Sequence, residues 1–290
     1  MPIYLVRALL LILVVFGRQA GADTSETGSA IDHRQALEWE NYDNPFSITP
    51  HRPTYILPLT YNNDPNEEPY AAANSDLIPE PNEIKFQFSF KVPLLENFLF
   101  GRGFFSFGYT QQSYWQAYKG RSSSPFRENN YEPELLFSFP VEEKVLGLNW
   151  RRIGLSLNHQ SNGRPEPLSR SWNRVMLELV AERENLYVSL KPWWRLPESS
   201  GSDDNPDIEK YLGNFELRIL QKYENHTFGL MLRNNLRSDN HGAAQFDYTF
   251  PINRRMRGYA QIFSGYGESL IDYDHYNNSI GVGIMLTNWL

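Results

Sequence analysis

His159, Ser161 and Asn173 lie close together in the run LSLNHQSNGRPEPLSRSWNRVMLEL, from Leu155 to Leu179. These three residue types suffice for acyl transfer: serine as nucleophile, histidine as general base, and a third group that fixes the ring's tautomer and orientation. An asparagine in the third role accepts a hydrogen bond from Nδ1–H but cannot balance an imidazolium as an aspartate would, so a nearby cation is one source for the missing electrostatics. Gly163 follows the serine closely and permits close backbone approach, which makes its N–H a candidate oxyanion donor. Ser123, Ser124 and Ser169 are short oxygen donors in loop-like segments; with backbone carbonyls and water they suit a hard cation such as calcium. Taken singly these residues have bland readings. A histidine at a strand end is usually a surface residue, and a serine beside Asn-Gly is usually turn chemistry.

What sets the group apart is the face it occupies. From Ile153 the odd positions run Ile153, Leu155, Leu157, then His159 and Ser161; after a turn containing Pro165 and Pro167, Asn173 shares its face with Val175, Leu177 and Leu179. Residues two apart on a strand point the same way, so the three polar groups interrupt the apolar face of two adjacent strands. Same-face neighbours stand about 6.5–7 Å apart along a strand, and a bend at Asn162-Gly163 would bring the hydroxyl toward the imidazole. In a soluble β-protein this face is core. In a membrane barrel it meets lipid, which would then be the substrate, and polar groups there are costly and mark function.

The rest of the chain fits that setting. Ile84, Phe86, Phe88, Phe90, Val92 and Leu94 alternate with polar residues, as do Phe105/Phe107/Tyr109, Leu186/Val188/Leu190, Phe215/Leu217/Ile219, Phe228/Leu230/Leu232, Phe246/Tyr248/Phe250 and Ile280/Val282/Ile284/Leu286. Roughly ten to twelve such segments, separated by turn residues, predict an all-β transmembrane antiparallel barrel over residues 83–290, with an even strand number. Trp115, Tyr118, Trp193, Trp194, Tyr223 and Trp289 at segment ends are expected to form interfacial girdles. Arg7, the apolar run Ala8–Phe16 and Ala20-Gly21-Ala22 predict a signal peptide over residues 1–22. Residues 23–82, rich in Pro, Asn, Asp and Glu, read as a periplasmic N-terminal extension.

Composition narrows the function classes. Among 290 residues there is no cysteine, which rules out disulfides and thiolate metal sites. A net charge of -7 argues against a nucleic-acid partner. Mean hydropathy is -0.52, and after residue 16 no stretch approaches the ~20 apolar residues of a spanning helix.

NHQSNGR followed by SRSWNR resembles the bacterial outer membrane phospholipase A family. So do SSPFRENNYEPELLFSF (Ser123–Phe139), KPWW (Lys191–Trp194), DDNPDIEKYLG (Asp203–Gly213) and SGYGESLIDY (Ser264–Tyr273), and the likeness runs from about Asn44 onward. It implies His159 as base, Ser161 as nucleophile and Asn173 as the orienting member. It further implies one calcium per active site, held by the Arg164 carbonyl, the Ser169 side chain and Ser123 of the partner in a homodimer. Gly163 N–H and calcium-bound water would form the oxyanion hole, and Gln111 matches a glutamine buried in the dimer interface. The implied protein is a twelve-stranded outer-membrane barrel, active as the calcium-bound dimer, that cleaves sn-1 and sn-2 acyl esters of phospholipids and lysophospholipids. This chain departs from the family at Gln160 and Glu166, where aspartates are familiar, and in its terminal Trp289-Leu290. Two other readings stay open: a passive or structural barrel without catalysis, and a soluble secreted lipase.

Overall fold

The computed structural model describes residues 48–287, except 74, 76, 99, 100, 121–123 and 255, together with Ser29, Ile31, Arg34 and Asn44. The expected signal segment, Ser123 and the Trp289-Leu290 pair lie outside the described residues. Twelve antiparallel strands close on themselves: β2 (Thr54–Asn62), β3 (Asn82–Glu96), β4 (Phe104–Trp115), β5 (Phe126–Val145), β6 (Leu148–Ser161), β7 (Ser171–Arg183), β8 (Leu186–Arg195), β9 (Phe215–Tyr223), β10 (His226–Asn234), β11 (Gly242–Pro251), β12 (Arg257–Tyr266) and β13 (Tyr276–Thr287), with β13 pairing back onto β2. A two-residue strand, β1 (Thr49–Pro50), continues the line of β2 along β3. Closure leaves no open edge, which a hydrocarbon environment requires because it offers backbone groups no water.

The N-terminal boundary differs from the sequence reading. Residues 54–62 belong to the barrel and supply its closing strand, so the extension cannot run to residue 82. The alternation that would have revealed β2 is broken by an irregularity between Leu57 and Thr60, at Pro58. Tyr55 and Leu57 are buried before it, and Thr60 and Asn62 after it, while Leu59 and Tyr61 turn outward. A bulge of this kind reverses the phase of a strand partway along, and proline, lacking an N–H, is suited to it.

The wall is apolar outside and polar within. Leu155, Leu157, Phe246, Ile262, Ile280 and Val282 are exposed, whereas Glu83, Lys85, Ser89, Thr110, Glu134 and Asn158 are buried. Charges taken from water must be paired and hydrogen-bonded. Lys85 lies 2.7 Å from Glu268, and Arg127 lies 2.9 Å from Glu83 and 2.8 Å from Asp272. One end carries tight connections, with positive φ at Leu146, Gly147, Glu184 and Glu224; the other carries longer loops, the pattern of periplasmic turns and extracellular loops.

Two of those loops close the loop end of the lumen. Residues 267–273 are buried, with Leu270 N–H donating to Asn130 Oδ1 at 3.0 Å. The short helix Ile208–Leu212 packs Ile208 and Leu212 against Leu270, Tyr273, Trp172, Met176 and Trp193. Trp193 therefore belongs to this internal cluster and not to an interfacial girdle, while Tyr118, Trp194 and Tyr223 are exposed as expected. Among the described residues the lumen holds a polar cavity of about 140 Å³, bordered by Arg52, Glu132, Arg174, Glu216, Arg218 and Asp247 among others. A lumen filled this way is no wide pore.

Candidate active site

Strands β6 and β7 set the geometry. Their register places Leu155 opposite Leu177, Leu157 opposite Val175 and His159 opposite Asn173. The apolar pairs make a greasy wall, and the polar pair sits on the same face at its loop end. His159 Nδ1 and Asn173 Oδ1 are 2.9 Å apart. Ser161 lies two residues beyond His159 on that face and has no hydrogen bond to the imidazole among the described residues. Catalytic hydrogen bonds are commonly long in unliganded sites and tighten when substrate binds.

The loop after Ser161 is built around Asn162. Its N–H donates to the Arg170 carbonyl at 3.0 Å and its amide to the Leu168 carbonyl at 2.8 Å, while its Oδ1 accepts from the N–H groups of Arg164 (3.3 Å) and Arg170 (3.0 Å). This staple turns the chain sharply and leaves Gly163 at φ +64°. A Cβ there would stand 3.2 Å from the Tyr131 ring. Both conditions favour glycine. The Gly163 N–H donates to none of the described residues. Tyr131 comes from β5, directly opposite Ser161.

Two of the expected calcium donors, Arg164 and Ser169, fall in the same loop. The Arg164 guanidinium is anchored on β5, donating to the carbonyls of Phe126 (3.2 Å) and Arg127 (2.5 Å) and lying 3.3 Å from Glu128. That anchor steadies the backbone whose carbonyl is the candidate ligand. Ser169 Oγ donates to Asp204 Oδ2 at 2.5 Å, and Ser171 N–H donates to Asn205 Oδ1 at 3.0 Å, which joins this loop to the one following β8. A hydrogen bond with Asp204 holds the Glu166 carboxyl above its ordinary range. Hydroxyl, carbonyl and carboxylate oxygens of this kind fit a hard cation. Gln111, on the outer face of β4, stands opposite Tyr131, which in turn stands opposite Ser161, so all three share one row of the wall. Gln111 accepts from Tyr109 OH at 3.2 Å and donates to Ser113 at 3.1 Å.

On the lumenal side a second set of pairs backs the first. Gln160 Oε1 accepts from Trp172 Nε1 at 2.9 Å and from Arg174 at 3.1 Å; Arg174 also reaches Asn158 at 2.6 Å and Glu132 at 3.0 Å, and its guanidinium lies 3.9 Å from the Trp172 ring centroid. Gln160 thus serves the interior and does not touch the outer trio. Three participants were not found by sequence reasoning: Tyr131, Asp204 and Glu198, whose Oε1 accepts a hydrogen bond from Asn173 Nδ2 at 3.1 Å. Tyr131 follows from strand alternation once the register is known, whereas the two loop carboxylates carry no periodicity that would mark them.

Residues 31–286 match the family model described as Phospholipase A1. The Phospholipase A1 of Escherichia coli K12 is 38% identical over 249 residues, 86% of this chain and 84% of the relative. That of Salmonella typhi is 37% identical over 249 residues, with the same shares. Among solved structures, an active-site mutant of outer membrane phospholipase A from Escherichia coli superimposes with a TM-score of 0.82 at 35% identity, covering 90% of this chain and 100% of the other. The calcium-bound dimer of outer membrane phospholipase from Salmonella typhi gives a TM-score of 0.81 at 35% identity, covering 92% and 100%.

Proposed function

The chain belongs to the phospholipase A1 family, and from that premise we propose that it hydrolyses the sn-1 and sn-2 acyl esters of phospholipids and lysophospholipids with His159, Ser161 and Asn173, as a calcium-dependent homodimer. It is a phospholipase and an outer-membrane β-barrel. The observation that carries the finer reading is the 2.9 Å contact between His159 Nδ1 and Asn173 Oδ1 on an outward, otherwise apolar wall, with Ser161 on the same face. Neither passive pore nor structural wall has a use for that arrangement at lipid depth.

In this mechanism Ser161 Oγ attacks the ester carbonyl while its proton passes to His159 Nε2. Negative charge develops on the carbonyl oxygen, toward which the free Gly163 N–H is available as a donor. The imidazolium returns the proton to the departing glycerol oxygen, and the acyl chain remains on serine. Water, deprotonated by the same nitrogen, then attacks the acyl-serine and releases the fatty acid. Bound at the Arg164 carbonyl and the Ser169 hydroxyl, with Ser123 contributed across a homodimer, calcium would supply positive charge beside the developing oxyanion. Gln111, in the row of Tyr131 and Ser161, would lie in the dimer interface, and pairing of two such walls would frame a groove for acyl chains. Association would also govern access to substrate.

Hydrolysis of phospholipid in mixed micelles by Ser161→Ala and His159→Ala variants tests the assignment. Each is expected to lose more than about 10³-fold in kcat, with barrel folding unchanged on unheated gels. A folded Ser161→Ala variant of full activity excludes serine as the nucleophile.

A further inference from the structure

We infer that Glu198 is a positioning residue of this site: through Asn173 it sets the tautomer of His159 and supplies the negative charge that an asparagine lacks. The inference deepens the triad reading and rests on it.

The Asn173 side chain lies between two partners, with Oδ1 2.9 Å from His159 Nδ1 and Nδ2 3.1 Å from Glu198 Oε1. A primary amide that is turned over exchanges its oxygen and its nitrogen, and nothing in His159 alone decides the orientation, since each ring nitrogen either donates or accepts. An ionised carboxylate only accepts. The amide end that faces Glu198 must therefore be the NH2, and Oδ1 is left for His159. Oδ1 only accepts, so Nδ1 carries the proton and the lone pair is on Nε2, the nitrogen a serine base needs. With Glu198 absent the amide is free to turn, donate to Nδ1 and hold the proton on Nε2, the unproductive tautomer.

Charge matters as well. When His159 takes up the serine proton it becomes a cation beside a neutral amide. Glu198 places a carboxylate one amide away, half-buried at the end of an apolar wall, where the field is screened less than in bulk water. Its hydrogen bond to Asn173 is its one contact of this kind among the described residues, and no cation pairs with it.

Leu196 N–H donates to the Asn173 carbonyl at 2.8 Å, and Arg195 reaches Asp203 at 2.5 Å and the carbonyls of Asn205 and Pro206. Pro197 restricts the backbone immediately before the carboxylate. Glu198 is thereby held against β7.

The ionisable groups around His159 are few. Tyr131 of β5 shares its face. Glu132 and Arg174 are paired with each other on the lumenal side. Beyond Ser161, Arg164 is tied to β5, Arg170 donates to the Pro167 and Ser169 carbonyls, and Asp204, which raises the Glu166 carboxyl, accepts from Ser169.

Glu198→Gln keeps an acceptor and removes the charge, Glu198→Ala removes both, and Glu198→Asp returns the charge on a shorter arm. The kcat of detergent-refolded protein on phospholipid micelles, with calcium present, is measured against pH for all three beside Ser161→Ala. Glu198→Gln is expected to lower kcat about tenfold with KM within twofold, and to move the acid limb of the profile down by about half a pH unit or more, because loss of a nearby anion makes the imidazolium more acidic. Glu198→Ala falls further and Glu198→Asp recovers part of the rate and the wild-type limb. A merely structural side chain would change kcat without moving that limb. If Ser161→Ala is inactive while the Glu198→Gln profile superimposes on wild type, this inference fails and the triad stands. If Ser161→Ala is active, both fall.

Discussion

Which atom carries a proton decides the chemistry on this wall, and Asn173 is where that decision is exposed to test. Asn173→Asp would improve the site if charge alone were missing. Beside Glu198, however, it removes the N–H donor and sets two carboxylates together, one of which must take up a proton. We predict that Asn173→Asp lowers kcat/KM at neutral pH about tenfold, and that adding Glu198→Gln restores most of the loss; the two-by-two cycle of kcat/KM values reads this as strong non-additivity. Gly163 gives a second test at this scale. Alanine at φ +64° costs about 1–2 kcal/mol, and its methyl would press on Tyr131 at 3.2 Å. Gly163→Ala should lower kcat more than about tenfold if its N–H serves the oxyanion, with the barrel intact by gel mobility. An unchanged kcat would remove Gly163 from the oxyanion role.

At the scale of elements, β6 and β7 are locked from behind. Arg174 satisfies Glu132, Asn158 and Gln160 at once and stacks on Trp172. Arg174→Ala would leave the buried Asn158 amide oxygen without its donor, while Arg52 still pairs with Glu132 and Trp172 still donates to Gln160; the expected loss is about 1–3 kcal/mol, read as a lower midpoint for guanidinium unfolding in detergent. The buried loop 267–273 carries a pH signature. Burial alone would raise the Asp272 and Glu268 carboxyls, but Arg127 and the Ser269 hydroxyl hold the first low, and Lys85 holds the second low. Groups with lowered folded pKa contribute stability above the ordinary carboxylate range, about pH 4, and lose it as pH falls through the folded value. The unfolding midpoint should therefore decline with acidification below that range, and Asp272→Asn should flatten the decline. The sequence displayed most of these elements because period-two alternation survives wherever one face meets lipid and the other a polar lumen. Strand β2 escaped because the bulge at Pro58 reverses its phase. His159, Ser161 and Asn173 were legible as interruptions of an apolar face, while Glu198 and Asp204 reach the site from a loop that pairing brings near β7, and proximity of that kind leaves no mark in local spacing.

At the scale of the whole molecule, the barrel inverts a soluble protein: ion pairs fill its interior and hydrocarbon faces outward. That inversion makes a catalytic group on the outer wall useful, since the substrate is the solvent, and it makes association of two walls a natural control. The row Gln111, Tyr131, Ser161 ties the proposed interface to the proposed nucleophile, so activity should rise with protein concentration in detergent as dimers form, in step with the oligomer fraction measured by sedimentation. Calcium-dependent hydrolysis by Ser161 is tested by fatty-acid release from phospholipid micelles by refolded wild type, with calcium and with a chelator of calcium, beside Ser161→Ala with calcium. Release by wild type with calcium, its loss on chelation, and none from Ser161→Ala are expected. Release that continues undiminished in chelator, or a complete absence of release from folded wild type with calcium, would contradict that mechanism.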